Sequence, residues 1–203
     1  MILLPEKAVY WPARNMLLIA DLHLGKSAHF RKAGIALPAA AETANLTALN
    51  GLLEQWQPSR LVFLGDLFHS DLNTAWNDFC TLRHFYADVS FELVLGNHDI
   101  LPVNLYAEAG LTVHREVLLL QPFRLLHQLP DEEMKGYYDL AGHVHPCILL
   151  AGSGRQKLRL PCFYLAERQG LLPAFGTFTG MHPVETKPED RVYAIAGGKI
   201  IAV

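Results

Sequence analysis

The chain has 203 residues, 51% of them apolar and 18% charged, and carries a formal net charge of −3. That length supports one full-sized core and is short for two domains, and the apolar share excludes intrinsic disorder. The slight acidity excludes a globally basic nucleic-acid binder, leaving room only for a local basic patch.

The N-terminus, Met1-Ile2-Leu3-Leu4, runs at once into Pro5, Glu6 and Lys7, so no signal-peptide apolar segment is read. No apolar run approaches the roughly 18 residues that a membrane span needs. No membrane partner and a cytoplasmic location are expected. Met16-Leu17-Leu18-Ile19-Ala20 reads as a buried strand. A helix fits Glu42 to Trp56, where Leu46, Leu49, Leu53 and Trp56 recur at helical spacing. Arg60–Leu64 is a second strand. Trp76, Phe79, Cys80, Arg83 and Tyr86 fall on one side of a second helix, the arginine being a blemish in that face. Phe91–Leu95 is a third strand, and the alternation predicts a parallel βαβαβ core.

The second half changes character. Val117–Leu120, Phe123–Leu126, Tyr138–Ala141, Cys147–Leu150, Leu158–Leu165 and Val192–Ile195 are short runs separated by Gly, Pro and Asp turn signals. They predict a second sheet packed on the first. No repeat, low-complexity tract or linker interrupts the chain. The expected fold is α/β (α+β), a two-sheet β-sandwich flanked by helices, in a single domain over residues 1–203. Cys80, Cys147 and Cys162 lie far apart without a C-x-x-C pair and are expected as reduced packing residues.

Ten histidines are a high share for this length, and imidazole is the commonest metal ligand. Their positions are informative. Asp21 and His23 follow the first strand, Gly65 and Asp66 the second, and Gly96, Asn97, His98 and Asp99 the third. His127 follows the run ending at Leu126, and Gly142, His143, Val144 and His145 follow the run ending at Ala141. In open α/β sheets the binding crevice lies outside the carboxyl ends of the strands, so one rim would collect these residues. In extended backbone the outer residues of Asp21-Leu22-His23 and of His143-Val144-His145 would project to the same side. Gly65, Gly96 and Gly142 let the backbone turn close to bound ions. A lone histidine at a strand end is usually a satisfied polar residue. The ordered set D-x-H, G-D, G-N-H-D, H, G-H-x-H points to a metal site.

As it stands, this set resembles the signature of the calcineurin-like metallophosphoesterase superfamily over Asp21 to His145. The resemblance implies one ion held by Asp21, His23, Asp66 and His145. It implies a second held by Asp66, Asn97, His127 and His143, with Asp66 shared. It also places His98 beside the leaving oxygen, where the alternative is an orienting role behind the metals. Members of the superfamily often carry a second Asp three residues after the bridging one. Here that place is His69, as in the nuclease subunit of the double-strand-break repair complex, which tilts the expected substrate towards DNA.

Further features resemble the bacterial ligase-associated DNA-damage-response endonucleases of this superfamily. They are Asp21-Leu22-His23-Leu24-Gly25-Lys26, Arg31, Gly34-Ile35-Ala36-Leu37-Pro38, Arg159-Leu160-Pro161-Cys162-Phe163 and the stretch Leu172 to Gly180. The resemblance implies a DNA endonuclease of repair, with DNA, single-stranded by preference, as substrate and repair proteins as partners.

Two ions sharing Asp66 would sit roughly 3.5–4 Å apart and lower the pKa of a bridging water towards about 7, giving hydroxide for attack on phosphorus. The nitrogen-rich ligands argue against magnesium. Manganese, iron or zinc fits, and the resemblance favours manganese. Two roles are open to Asp99: orienting His98, or capping the following turn. Lys26, His29, Arg31 and Lys32, and again Arg155, Lys157 and Arg159, could neutralise flanking phosphates or be solvated loop charge. His69 could touch nucleic acid or support the metals from behind. His84, His114 and His182 read as surface or packing residues. The rival functions are a phosphodiesterase or phosphatase for small nucleotides or other small phosphoesters, and a metal-stabilised scaffold without catalysis.

Overall fold

The computed structural model describes residues 1–26, 40–69, 72–152, 157–177 and 179–203. A first sheet contains six strands in spatial order: Ile2–Leu4 (β1), Ala8–Trp11 (β2), Met16–Ile19 (β3), Arg60–Leu64 (β4), Ser90–Val94 (β5) and Leu111–His114 (β6). β3 to β6 are parallel to one another, and β1 and β2 add an antiparallel hairpin. All four residues of β3 are buried, as the uninterrupted apolar run demands of a strand covered on both faces.

The order of the strands decides what covers each face. Right-handed crossovers between parallel strands taken in sequence all fall on the same side. The helices Ala40–Trp56 (α1), Thr74–Phe85 (α2) and Val103–Glu108 (α3) accordingly pack one face. There Leu49, Leu53, Trp76, Phe79 and Tyr106 meet Leu17, Ile19, Phe63, Phe91 and Leu93. The alternate residues Met16, Leu18, Val62, Leu64 and Val94 face the other way and are left for a second sheet. They pack on Leu118, Leu125, Leu140, Phe163, Leu172 and Ile195.

That second sheet has nine strands: Val117–Leu120 (β7), Phe123–Leu126 (β8), Tyr138–Ala141 (β9), Pro146–Ala151 (β10), Lys157–Leu165 (β11), Gln169–Leu171 (β12), His182–Pro183 (β13), Arg191–Ala196 (β14) and Lys199–Ala202 (β15). The expected two-sheet α/β architecture is present, and among the described residues the α-helices cover the first sheet only. Cys147 and Cys162 are buried and Cys80 half-buried, all as free thiols. Among the described residues no helix is long and apolar enough to cross a membrane.

β8, β9 and β12 are parallel, so their carboxyl ends share a rim just as those of β3, β4 and β5 do. The two rims are stitched together. Phe175 and Gly176, just past β12, donate their N–H groups to the carbonyls of Ala20 and Asp21 at 2.8 and 3.0 Å. The expected crevice therefore lies between two sheets rather than at a switch in strand order.

One buried ion pair spans two of the strands feeding that rim. Arg124 on β8 stands opposite Asp139 on β9. The guanidinium donates to both carboxylate oxygens at 2.6 and 2.5 Å, with each residue less than a tenth exposed. Removing one partner leaves the other charge buried and uncompensated. Arg124→Leu is expected to cost on the order of 3–5 kcal/mol, read as a lower urea midpoint. Adding Asp139→Leu should recover most of the loss; equal midpoints for the single and double variants would show that the two charges do not compensate each other.

Candidate metal centre

The backbone at the rim is not the extended chain that the D-x-H and H-x-H spacings suggest. Asp21, His23, Asp66, His143 and His145 all have positive φ, between 49° and 65°. This is left-handed backbone, which costs a non-glycine residue about 1–3 kcal/mol and persists only where the surroundings over-determine it. Those surroundings are visible. The N–H of Asp21 bonds to the carbonyl of Gly65, that of His23 to Asp66, and that of Leu24 to Leu67, so the loops after β3 and β4 continue the pairing of their strands. Close approach does the rest: a side chain at Gly96 would overlap the Asp66 carboxylate, and one at Gly142 would meet that of Asp21.

These turns gather two groups of candidate ligands. Asp21, His23 and His145 form one; Asp66, His127 and His143 form the other. Within each, one ligand-type atom per residue lies within 4.8 Å of the rest. Asp66 spans the two groups, its Oδ2 standing 3.7 Å from His23 Nε2 and its Oδ1 3.5 Å from His127 Nε2. Asn97 is exposed, and its Oδ1 lies 3.0 Å from His127 Nε2.

Charge and protonation both favour cations here. Asp21 and Asp66 are 0% and 2% exposed, and among the described residues no lysine or arginine is ion-paired with either. Buried carboxylates of this kind are costly unless a cation compensates them. The histidines present lone pairs rather than protons. His127 Nδ1–H donates to the Leu64 carbonyl at 3.0 Å, and His145 Nδ1–H to the Gly180 carbonyl at 3.0 Å, which leaves both Nε2 atoms unprotonated in the neutral rings. Burial, then Lys26 and the neighbouring imidazoles, lower the pKa of His23 to about 2. Burial and His127 lower that of His143, against the opposing pull of Asp66 and Asp21.

The remaining test is spacing. His127 Nε2 and His143 Nδ1 are 3.1 Å apart, and His23 Nε2 and His145 Nε2 3.4 Å. Nitrogens bound to one ion at about 2.0–2.1 Å would be separated by about 3.0–3.4 Å. The donor set fits a pair of nitrogen- and oxygen-bound divalent cations.

The other expected residues fall around these groups. His98 donates its backbone N–H to Asp66 Oδ1 at 2.9 Å, and its ring lies 4.0 Å from that of His69 and 5.6 Å from that of His23. His69 Nδ1 is 3.1 Å from His23 Nδ1. Asp99 closes its own turn by accepting from Gly96 N–H at 2.8 Å. It also reaches across to the N–H groups of Asp66 and Phe68 at 2.9 and 3.1 Å. Burial pushes its carboxyl up to about 6 against the pull of those bonds. Lys26 lies near enough to feel Asp66 and Asp21, which partly offset the lowering of its pKa by burial. Arg31, Lys32, His29 and Arg155 lie outside the described residues. Lys157 and Arg159 are exposed on β11. His114 pairs with Glu92 at 2.9 Å, a packing role. Sequence reasoning missed the carbonyls of Leu64 and Gly180 that orient two imidazoles. Leu64 is invisible as a partner because any residue supplies a carbonyl; Gly180 does close the stretch Leu172 to Gly180 singled out above.

The chain is similar to known proteins. The family model for calcineurin-like phosphoesterases matches residues 15–179. The crystal structure of Pseudomonas putida nuclease MPE is similar, with 34% identity, a TM-score of 0.82 and coverage of 98% of this chain and 93% of that one. YfcE, a phosphoesterase from E. coli, matches with 17% identity and a TM-score of 0.45 over 92% of this chain and 96% of that one. No curated protein matches the chain.

Because Asp66 is the carboxylate between the groups, Asp66→Ala is expected to abolish hydrolysis and remove at least one metal equivalent. Elemental analysis of the purified variant beside its activity checks this. A fully metallated, active variant would remove Asp66 from its shared position.

Proposed function

The chain belongs to the calcineurin-like phosphoesterase family and is a metal-dependent phosphoesterase, and from that premise we propose that it is a DNA endonuclease of repair. The observation that carries this reading is the pair of converging ligand groups on either side of Asp66. The similarity to the Pseudomonas putida nuclease, which extends over nearly the whole chain, directs it to nucleic acid. In this reading Asp21, His23, Asp66 and His145 hold one divalent ion, and Asp66, Asn97, His127 and His143 hold the second. Manganese is the preferred metal, with iron or zinc as substitutes; four imidazoles suit any of these better than magnesium. The working location is the cytoplasm.

When bound, the two ions supply a water-derived nucleophile near neutral pH and positive charge that stabilises the transition state. The protein's own groups do the rest. The carbonyls of Leu64 and Gly180 keep the ligand nitrogens of His127 and His145 free of protons. His98 is anchored through its backbone N–H to Asp66 and through its ring against His69, and from there it donates a proton to the leaving oxygen. Lys26, at the rim, neutralises a phosphate beside the scissile one. Arg31 and Lys32 belong to the same proposed interface, as does His69, whose contact with His23 also suits support of the metal centre.

A closed single-stranded DNA circle with manganese tests the reading. Linear products are expected, because neither an exonuclease nor an enzyme of small phosphoesters can open a circle. Intact circles and intact linear strands beside hydrolysis of bis(p-nitrophenyl) phosphate would turn the reading to small phosphoesters, degradation of linear strands alone to an exonuclease, and inertness towards all would leave a scaffold.

His98→Ala separates acid help from metal binding. It should keep its metal content while kcat falls roughly 10²–10⁴-fold on alkyl leaving groups, and far less on p-nitrophenol, which leaves without a proton. Equal losses on both leaving groups would count against the assignment.

A further inference from the structure

A second polar feature borders the metal centre, at the turn of the N-terminal hairpin. β1 and β2 are joined by Pro5-Glu6-Lys7, with Leu4 paired to Ala8 and the N–H of Lys7 bonded to the carbonyl of Leu4 at 3.0 Å. Three-residue hairpin loops of this kind place their last residue in left-handed backbone, where glycine is the usual choice. Here the residue is Lys7, at φ 64°. A local preference has been set aside, and such positions often mark function.

The surroundings of the lysine say what its side chain could serve. Lys7 is half-buried, burial lowers its pKa, and among the described residues no carboxylate pairs with it. It lines a cavity of about 300 Å³ together with His145, Gly176, Thr177 and Thr179. His145 is the common wall. Its Nε2 lies 3.4 Å from Asp21 Oδ1 in the candidate metal centre, while the residue also borders the cavity. The Thr179 hydroxyl is occupied by the Gly176 carbonyl at 3.2 Å, but the Thr177 hydroxyl makes no hydrogen bond among the described residues. A partly desolvated cation and an exposed hydroxyl thus border one recess, walled otherwise by Pro146, Pro161, Ala174 and Met181, one imidazole away from the place where phosphorus would sit. An anion there would pair with the lysine and accept from the hydroxyl.

We propose that Lys7 and the Thr177 hydroxyl form a subsite for the phosphate that flanks the scissile one along a polynucleotide strand. The inference rests on the reading of the chain as a nuclease and makes it more specific. A substrate with a neighbouring phosphate binds at two places, whereas an isolated ester binds at one. The hairpin then contributes to substrate choice from a position 14 residues ahead of the first metal ligand in sequence, Lys7 against Asp21.

The test uses two pairs of chromogenic substrates with the manganese-loaded enzyme. One pair is thymidine 5′-(p-nitrophenyl phosphate) with and without a 3′-phosphate. The other is thymidine 3′-(p-nitrophenyl phosphate) with and without a 5′-phosphate. In one pair the added phosphate is expected to raise kcat/KM on the order of tenfold, through KM, as one charge-assisted contact allows. Lys7→Met should lose that gain and Lys7→Arg should keep part of it. Lys7→Gly, which suits the left-handed backbone, should fold with full metal content and still lose the gain. A gain that persists in Lys7→Met and Lys7→Gly, or no gain in either pair, overturns the subsite. If the parent opens DNA circles while these variants show an unaltered preference, the nuclease reading stands and the subsite falls. If the parent hydrolyses the aryl esters but leaves DNA intact, the nuclease reading itself falls.

Discussion

Two carboxylates buried side by side, with no lysine or arginine among the described residues ion-paired to either, are the constraint around which the rest of this molecule is arranged. Taking one unpaired carboxylate out of water costs several kcal/mol even after relaxation, and two in proximity cost more. Among the described residues the bonds to these carboxylates come from N–H groups, while Lys26 acts on them through its charge alone. His143 N–H reaches Asp21 at 2.9 Å and His98 N–H reaches Asp66 at 2.9 Å. Four imidazoles add lone pairs, which worsen the negative potential instead of relieving it. An arrangement so rich in donors of electrons and so poor in positive charge is stable in the company of divalent ions.

The layered architecture explains how two carboxylates and four imidazoles from distant stretches of chain meet. Sequential parallel strands send their helices to one side and leave the other face apolar. A second sheet covers that face, and three of its own strands run parallel, with their carboxyl ends at the same rim. One sheet thus brings Asp21, His23, Asp66 and Asn97, and the other brings His127, His143 and His145. The sheets hold the left-handed residues in place, so the cost of that backbone falls on packing remote from the chemistry. A metal core of this kind does not select a substrate by itself, which leaves selection to the rim.

Much of this was legible in the sequence, and the misses have physical causes. β4, β7, β8 and β9 occupy the stretches their apolar runs indicate. The residues that the D-x-H and H-x-H spacings single out do converge at the rim, but those spacings suggest extended backbone while the structure turns them left-handed. The members of each pair still come together, because both sit in the same unusual conformation. The N-terminal hairpin was not read at all. Its turn lacks the glycine that would have announced it, and Lys7 occupies that place. β12 and β13 are too short to show a period of two, β6 (Leu111-Thr112-Val113-His114) is no uninterrupted apolar run, and α3, at six residues, is too short for a helical period. Two roles stay open for Asp99 in the sequence because the N–H groups it accepts from beyond its own turn, those of Asp66 and Phe68, lie more than 30 residues away.

The bonds from Phe175 and Gly176 to Ala20 and Asp21, and from His145 to Gly180, bear on the order of events during synthesis. The first sheet has all its strands once residue 114 has emerged, and it already carries Asp21, His23, Asp66 and Asn97. That half-set lacks three imidazoles and the strap that closes the rim. Chains grow at about 5–20 residues per second, so several seconds separate the first ligands from the last. During that interval the nascent chain offers a few oxygens and one imidazole, a weak and unselective grip on any passing cation. The full ligand set exists only once the strap has emerged, late in the growth of the chain rather than at its beginning.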